Sequence, residues 1–164
     1  MNKDFSELPL RNGVGIILLN DDNKVFVARR IDNAKKFWQM PQGGVDEGED
    51  FLKAAYRELE EETSVKSVEL IKELDGTITY ELPDRLLGII WKGKYKGQKQ
   101  KWFMFKLIRD VDISFDNDPD NEFIDYKWVP YWYPLHTIVD FKKAVYRSVL
   151  LELRHEFSME LNHD

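Results

Sequence analysis

The sequence predicts an α/β fold in which helices cover a mixed β-sheet. Three observations support this prediction. Several short segments are rich in β-branched and aromatic residues, two longer segments repeat apolar residues at helical spacing, and the two kinds alternate along the chain. The chain has 164 residues, the length of one compact domain, and no linker or low-complexity stretch divides it. We expect a single domain over residues 1–164, with its core at about residues 11–156.

The strands are predicted from runs of β-forming residues. Residues 13–19 and 24–28 are two such runs, and the asparagines and aspartates between them are typical of a turn, so we expect a β-hairpin. Residues 37–45 contain one proline and two glycines, which favours a loop. Five further segments are expected to be strands: residues 69–74, 77–82, 87–95, 101–108 and 123–130.

Two helices are predicted. The first begins near Asp50, an acceptable residue for a helix start, and ends at about Thr63. Its Leu52, Ala55 and Leu59 form one apolar face. The second helix follows Pro134 and covers residues 137–156, with apolar residues at helical spacing: Ile138, Phe141, Val145, Val149 and Leu153.

The composition excludes several classes of protein. A net charge of -6 argues against a protein that coats nucleic acid by charge alone, but it permits a local basic groove. The chain has no cysteine, so disulfides and thiolate metal sites are excluded. Residues 1–10 lack the apolar segment of a signal peptide, and no apolar run approaches the length of a membrane span. We therefore expect a cytoplasmic enzyme or binding module without a membrane partner.

The first helix carries a cluster of carboxylates. With about 100° of rotation per residue, Glu58, Glu61 and Glu62 fall on one face, whereas Glu60 points away. Their repulsion costs on the order of 0.2–0.5 kcal/mol per pair, which a hard divalent cation would reverse. Oxygen ligands suit magnesium or manganese. A glutamate-rich helix is more often a solvated surface, so the surrounding residues must decide between the two interpretations.

Those surrounding residues resemble the Nudix box. The family pattern is matched, in order, at Gly43, Glu49, Arg57, Glu58, Leu59, Glu61, Glu62 and Val65. One position departs, since Ser64 stands where the family has glycine. The resemblance implies a Nudix-type α/β/α sandwich, a metal site at Glu58, Glu61 and Glu62 together with Gly43, and a catalytic role for these glutamates and Arg57. At the helix end, the replaced glycine predicts a positive φ for Ser64.

Further stretches resemble one branch of that family, the RNA pyrophosphohydrolases and dinucleoside polyphosphate hydrolases. The most specific are WQMPQGG at residues 38–44 and GQKQKWF at residues 97–103. The resemblance implies a further metal-binding carboxylate at Glu122. It also favours six substrate-binding residues, in which cations meet the phosphates and aromatic rings stack on a base: Arg11, Arg30, Lys99, Lys101, Tyr80 and Phe141.

The implied activity is a magnesium-dependent pyrophosphohydrolase with two or more metal ions, with manganese as a possible substitute. Its substrate would be a 5′-triphosphorylated RNA end, a dinucleoside polyphosphate such as diadenosine tetraphosphate, or both. Two alternatives stay open: a Nudix hydrolase of a nucleotide sugar or an oxidised nucleoside triphosphate, and a non-catalytic module that binds nucleotide ends. Loss of box carboxylates would indicate the non-catalytic module, and none is lost here. The sequence identifies no protein partner.

Overall fold

The computed structural model describes residues 5–30, 37–118 and 123–154. Short 3-10 turns cover Phe5–Glu7, Ile90–Gly93 and Asp140–Lys142. None of the helices in the described segments is both long enough and apolar enough to cross a membrane. The regular elements, in chain order, are β1 (Leu10–Leu19), β2 (Val25–Arg30), β3 (Trp38–Gln39), β4 (Gln42–Gly44), α1 (Phe51–Thr63), β5 (Val68–Glu73), β6 (Ile78–Glu81), β7 (Gly97–Leu107), β8 (Phe123–Val129), α2 (Pro134–Thr137) and α3 (Lys143–Glu152).

The strands of the described segments form one mixed sheet. Its main order is β3-β2-β1-β7-β5, with β4 paired to β1, β6 to β7 and β8 to β2. The pairing of β1 with β7 is parallel, from Leu10 opposite Gly97 to Leu19 opposite Lys106. The other pairings are antiparallel, including the predicted hairpin of β1 with β2. This register sets Arg11 directly beside Gln98 at the edge where the cleft described below opens.

Each face of the sheet carries its own apolar core. Because side chains alternate along a strand, Ile16 of β1 packs with α1 residues such as Leu59, whereas Ile17 packs with α3 residues such as Tyr146. Tyr146 also accepts a 2.9 Å hydrogen bond from the Met40 amide through its hydroxyl, which ties α3 to the segment between β3 and β4. The predicted sandwich of a mixed sheet between helices is confirmed.

Both ends of α1 follow from local chemistry. Asp50 caps the start, since its carboxylate accepts a 2.7 Å hydrogen bond from the Lys53 amide. Ser64 ends the helix with φ 67°, so the predicted left-handed conformation is confirmed. The Ser64 hydroxyl donates to the Ser114 carbonyl at 2.9 Å and accepts from the Asn117 amide at 3.0 Å. These two bonds help to hold a non-glycine residue in a conformation that glycine usually adopts.

Three sequence predictions are wrong. Residues 87–95 form turns and a 3-10 segment instead of a strand, because Gly88, Trp91 and Lys92 have positive φ. The helix predicted over residues 137–156 is broken, since Ile138 is extended and α3 begins only at Lys143. The loop predicted over residues 37–45 contains β3 and β4, because both pair with neighbouring strands.

Candidate active site

The helix α1 presents the three predicted glutamates on one side. Glu62 is buried at 3% exposure, and the side chains of Glu58 and Glu61 are 14% and 34% exposed. We call these three residues the carboxylate face. Glu60 lies elsewhere on the helix, where it forms an exposed ion pair with Lys66 at 3.3 Å. The helical phase inferred from the spacing therefore agrees with the structure.

Arg57 organises the carboxylate face. Its guanidinium donates to Glu49 at 2.8 and 3.0 Å, to Glu58 at 3.0 Å, to Glu61 at 3.2 Å and to the Gly44 carbonyl at 2.8 Å. These hydrogen bonds raise the pKa of Arg57, with Glu49 as the largest cause, and the same contact lowers the pKa of Glu49. Arg57 thus pins the loop before α1 to the helix and orients two of the three glutamates.

Gly43 and Gly44 are required by close packing. A Cβ on Gly43 would lie 2.0 Å from the carboxyl carbon of Glu58, and one on Gly44 would lie 2.2 Å from Nη2 of Arg11. Neither glycine has a positive φ. The reason for both glycines is therefore steric: β4 passes directly against the Glu58 carboxylate and the Arg11 guanidinium.

The donor chemistry of this site fits a hard divalent cation. The side chains of the carboxylate face offer only oxygen atoms as ligands. The backbone of Gly43 lies directly against Glu58, and the space between them is too small for a side chain at residue 43. Within the segments that the structure describes, no three acidic or histidine side chains form a ready-made metal cluster. Glu122, the fourth predicted carboxylate ligand, lies outside the described residues.

A cleft opens beside the carboxylate face. Its larger part has a volume of about 690 Å³ and is lined by residues that include Arg11, Arg30, Tyr80, Trp91 and Phe141. A smaller part of about 120 Å³ shares Arg11, Arg30 and Trp91 and reaches Glu58. The cleft therefore leads from a carboxylate, past two arginines, to aromatic rings.

A buried chain of hydrogen bonds leads from an indole to an amide that lines this cleft. The Trp102 indole donates to Oε1 of Gln100 at 2.9 Å, and Nε2 of Gln100 donates to Oε1 of Gln98 at 2.7 Å. The Tyr80 hydroxyl also donates to Oε1 of Gln98, at 3.2 Å. Because an indole N–H can only donate, it fixes the orientation of each amide in turn. Gln98 lines the smaller cavity, and its Nε2 lies so close to Gly13 that a Cβ on that glycine would be 2.2 Å away. Sequence reasoning missed this function of the two glutamines, although their period-two spacing was visible.

The two predicted aromatic residues meet in the larger part of the cleft. The rings of Tyr80 and Phe141 have centroids 5.8 Å apart at an angle of 47°. The Lys142 ammonium lies 5.6 Å from the Tyr80 ring centroid. Burial raises the pKa of the Tyr80 hydroxyl, so this ring stays neutral at physiological pH. The two rings form an apolar surface of the kind on which a base stacks.

The structure does not bring Lys99 and Lys101 to the cleft. Strand alternation turns both side chains away from the side occupied by Gln98 and Gln100. Lys99 is exposed. The Lys101 ammonium donates to the Leu74 carbonyl and lies 3.8 Å from the Glu73 carboxylate. The substrate-binding role of the two lysines stays a prediction, whereas Arg11, Arg30, Tyr80 and Phe141 share one cleft.

Comparison with known proteins identifies the family. The family model described as NUDIX domain matches residues 9–149. The chain belongs to the Nudix family. It is a hydrolase of that family, and Nudix hydrolases generally use divalent metal ions.

Two relatives have the same printed description, "RNA pyrophosphohydrolase". The protein from Pelagibacter ubique is 60% identical over 91% of this chain and 94% of its own length. That from Novosphingobium aromaticivorans is 45% identical over 94% of this chain and 98% of its own length. The similarity therefore covers both the box and the cleft.

Solved structures share the fold at lower identity. The dihydroneopterin triphosphate pyrophosphohydrolase of E. coli is 22% identical, with a TM-score of 0.68, over 87% of this chain and 98% of its own. A C. elegans Ap4A hydrolase binary complex is 20% identical, with a TM-score of 0.64, over 88% of this chain and 98% of its own. At these identities the likeness establishes the Nudix fold.

Proposed function

We propose that the protein is a magnesium-dependent RNA pyrophosphohydrolase, which converts a 5′-triphosphate end to a 5′-monophosphate and releases pyrophosphate. The observation that carries this proposal is the order of groups along the cleft: carboxylate, two arginines, then aromatic rings. A nucleotide end has the complementary order of groups: its polyphosphate would lie near the carboxylate and the arginines, and its base would lie near the aromatic rings. The names of the relatives, at 60% and 45% identity over nearly the whole chain, support the same substrate.

The residues of the carboxylate face would hold the magnesium ions, two or more in number, with Glu122 as a further ligand. When bound, magnesium supplies charge neutralisation for the phosphates and lowers the pKa of a water molecule. Arg57 keeps Glu58 and Glu61 oriented through its hydrogen bonds. Manganese would serve as a substitute, because the ligands are hard oxygen atoms.

The cations of the cleft would bind the phosphates of the substrate. Arg11 and Arg30 border both the region next to Glu58 and the region of the aromatic rings. With a net charge of -6, the chain as a whole repels RNA, so contacts should be confined to the 5′ end and the first one or two nucleotides. We expect about two to four neutralised phosphate charges and a correspondingly shallow salt dependence.

The aromatic rings would select a single-stranded end. A base can stack on Tyr80 or Phe141 only when it is unpaired, since a paired base must first leave its helix. Such stacking contributes roughly 1–3 kcal/mol per base. A triphosphate on a fully base-paired end should therefore be hydrolysed more slowly than one on a single-stranded end.

A dinucleoside polyphosphate is the second candidate substrate. It presents the same sequence of groups, a polyphosphate next to a base, so the cleft accommodates it by the same contacts. Hydrolysis of a dinucleoside tetraphosphate would release a mononucleotide and a nucleoside triphosphate. The bond that is broken has the same chemistry, and the two substrates differ only in the leaving group.

Side-by-side turnover of 5′-triphosphorylated RNA and diadenosine tetraphosphate with magnesium tests the proposal. We expect faster hydrolysis of the RNA, with pyrophosphate as product, and loss of activity in Glu62→Gln. Preferential turnover of diadenosine tetraphosphate, or equal cleavage of base-paired and single-stranded ends, would contradict it. Lys101→Ala, compared with Arg30→Ala, tests the predicted lysine contact: equal loss of affinity would support the lysine despite its distance from the cleft.

A further inference from the structure

The half-buried Arg11 side chain contacts an aromatic ring and the backbone of β4. Its guanidinium carbon lies 5.5 Å from the centroid of the Trp91 ring. On another side it packs against Gly44, where even a Cβ would come within 2.2 Å of Nη2. Across residues 5–30, 37–118 and 123–154, Arg11 forms no ion pair with a carboxylate. The cation is thus fixed in place by a ring and a strip of backbone.

The contrast with Arg57 shows what this arrangement leaves available. The N–H groups of Arg57 donate hydrogen bonds to Glu49, Glu58, Glu61 and a backbone carbonyl. An aromatic ring attracts a cation through its π-electrons, without taking up the N–H donors that a carboxylate would bind. Arg11 therefore keeps hydrogen-bond donors for an anion, in the part of the cleft that reaches Glu58.

The backbone at Trp91 is specialised to place its ring there. Trp91 has φ 53° and ψ 33°, Lys92 has φ 58°, and Gly93 has φ 71°, so three consecutive residues are left-handed. Residues with a Cβ rarely adopt this conformation, and it persists where surrounding contacts require it. The Trp91 ring packs edge-on against Tyr95 at 6.1 Å and borders both parts of the cleft. A regular strand, which the local sequence favours, would not produce this turn.

We infer that Trp91 is a positioning residue, which holds the Arg11 guanidinium toward the substrate polyphosphate. This inference rests on the proposed function, since it assigns Arg11 to the phosphates. Trp91 acts through Arg11 and does not depend on a base. Its removal should weaken the binding of any polyphosphate, with or without a nucleoside, and should raise KM more than it lowers kcat.

Binding of inorganic tripolyphosphate, measured by isothermal titration in the presence of magnesium, isolates this role because the probe has no base. We expect Trp91→Leu to weaken binding roughly 3–10-fold, as for loss of one partly exposed cation–π contact, and Trp91→Phe to weaken it less. Ile89→Ala, in the same loop but outside the cleft lining, is the control and should bind as wild type does. Melting temperatures verify that each variant is folded.

A double-mutant cycle with Arg11→Ala tests whether Trp91 acts through Arg11. If Trp91 acts through Arg11, Trp91→Leu should have no further effect in the Arg11→Ala background. An equal effect in both backgrounds, or weakened binding of RNA with unchanged binding of tripolyphosphate, would overturn the inference and assign Trp91 to the nucleoside. Because the probe is inorganic, failure of this inference is distinguishable from failure of the proposed RNA activity, which is tested separately by turnover of triphosphorylated RNA with the wild-type protein.

Discussion

Replacement of Gly43 by alanine should remove activity while leaving the fold intact. The added Cβ would lie 2.0 Å from the Glu58 carboxyl carbon and 2.2 and 2.4 Å from its two oxygens. Non-bonded carbon atoms rest at about 3.5–4.0 Å, so the carboxylate must move by about 1.5 Å. A misplacement of about 1 Å in a catalytic group can cost 10²-fold, and we expect at least this loss in kcat, or about 2.7 kcal/mol of transition-state stabilisation.

The fold should tolerate this change. Glu58 meets the new methyl group with the end of a flexible side chain, and Gly43 has no positive φ that alanine would have to adopt. We expect the free energy of unfolding to change by less than about 1 kcal/mol in urea denaturation. Gly76→Ala is the matched control: its Cβ meets open space, but its φ is 75°. That variant should lose about 1–2 kcal/mol of stability and keep its activity.

The assay is magnesium-dependent release of pyrophosphate from 5′-triphosphorylated RNA, alongside the urea denaturation of each variant. A folded Gly43→Ala protein with a turnover within about three-fold of wild type would refute the reasoning, because it would mean that the position of the Glu58 carboxylate does not limit catalysis.

Further predictions concern the glutamates, the end of α1 and the acid response. Glu62→Gln should lower turnover at least ~10²-fold, whereas Glu60→Gln should stay within a few-fold in the same assay; similar losses would contradict the assignment by helix face. Ser64→Gly should leave the free energy of unfolding within about 0.5 kcal/mol of wild type in urea denaturation. The reason is that glycine relieves a backbone strain of roughly 1 kcal/mol but removes the two hydrogen bonds of the Ser64 hydroxyl. A gain in stability above about 1 kcal/mol would show that these hydrogen bonds contribute little. The pKa of Glu49 lies below its ordinary 4.5 in the folded protein, so its contribution to stability is present above that pH and lost as the pH falls below it. Glu49→Gln should therefore show a smaller loss of stability than wild type between about pH 7 and about pH 3.5, and parallel curves would argue against this contact.

Much of the carboxylate helix was predictable because its determinants are local. The spacing of Glu58, Glu61 and Glu62 places them on one face of any α-helix, and Asp50 caps the helix through a contact with a residue only three positions away. The left-handed end at Ser64 was predicted from the family resemblance, because the family has glycine at that position. The Nudix resemblance predicts that these local features form a metal site.

The errors arose where distant contacts overrule local preference. Residues 87–95 contain one leucine, two isoleucines and a tryptophan, which favour a strand, yet the chain turns at Trp91 to pack its ring near Arg11. The apolar spacing of residues 137–156 favours one helix, but Ile138 is extended and Phe141 is drawn into contact with Tyr80. In both places the chain forms part of the cleft.

The sequence by itself determined the family, the sandwich of helices on a mixed sheet and the glutamates that share a face, because these depend on periodicity and on motif spacing. Only the tertiary structure decided which cations border the cleft. Arg11 of β1 borders the cleft beside Gln98 of β7. Lys99 and Lys101 are also on β7, but their side chains point away from the cleft. The tertiary structure also decided that Gly43 is needed for close approach to Glu58. The physical reason is that the parallel pairing of β1 with β7 joins segments more than eighty residues apart, and no local pattern encodes which of their faces meets the substrate.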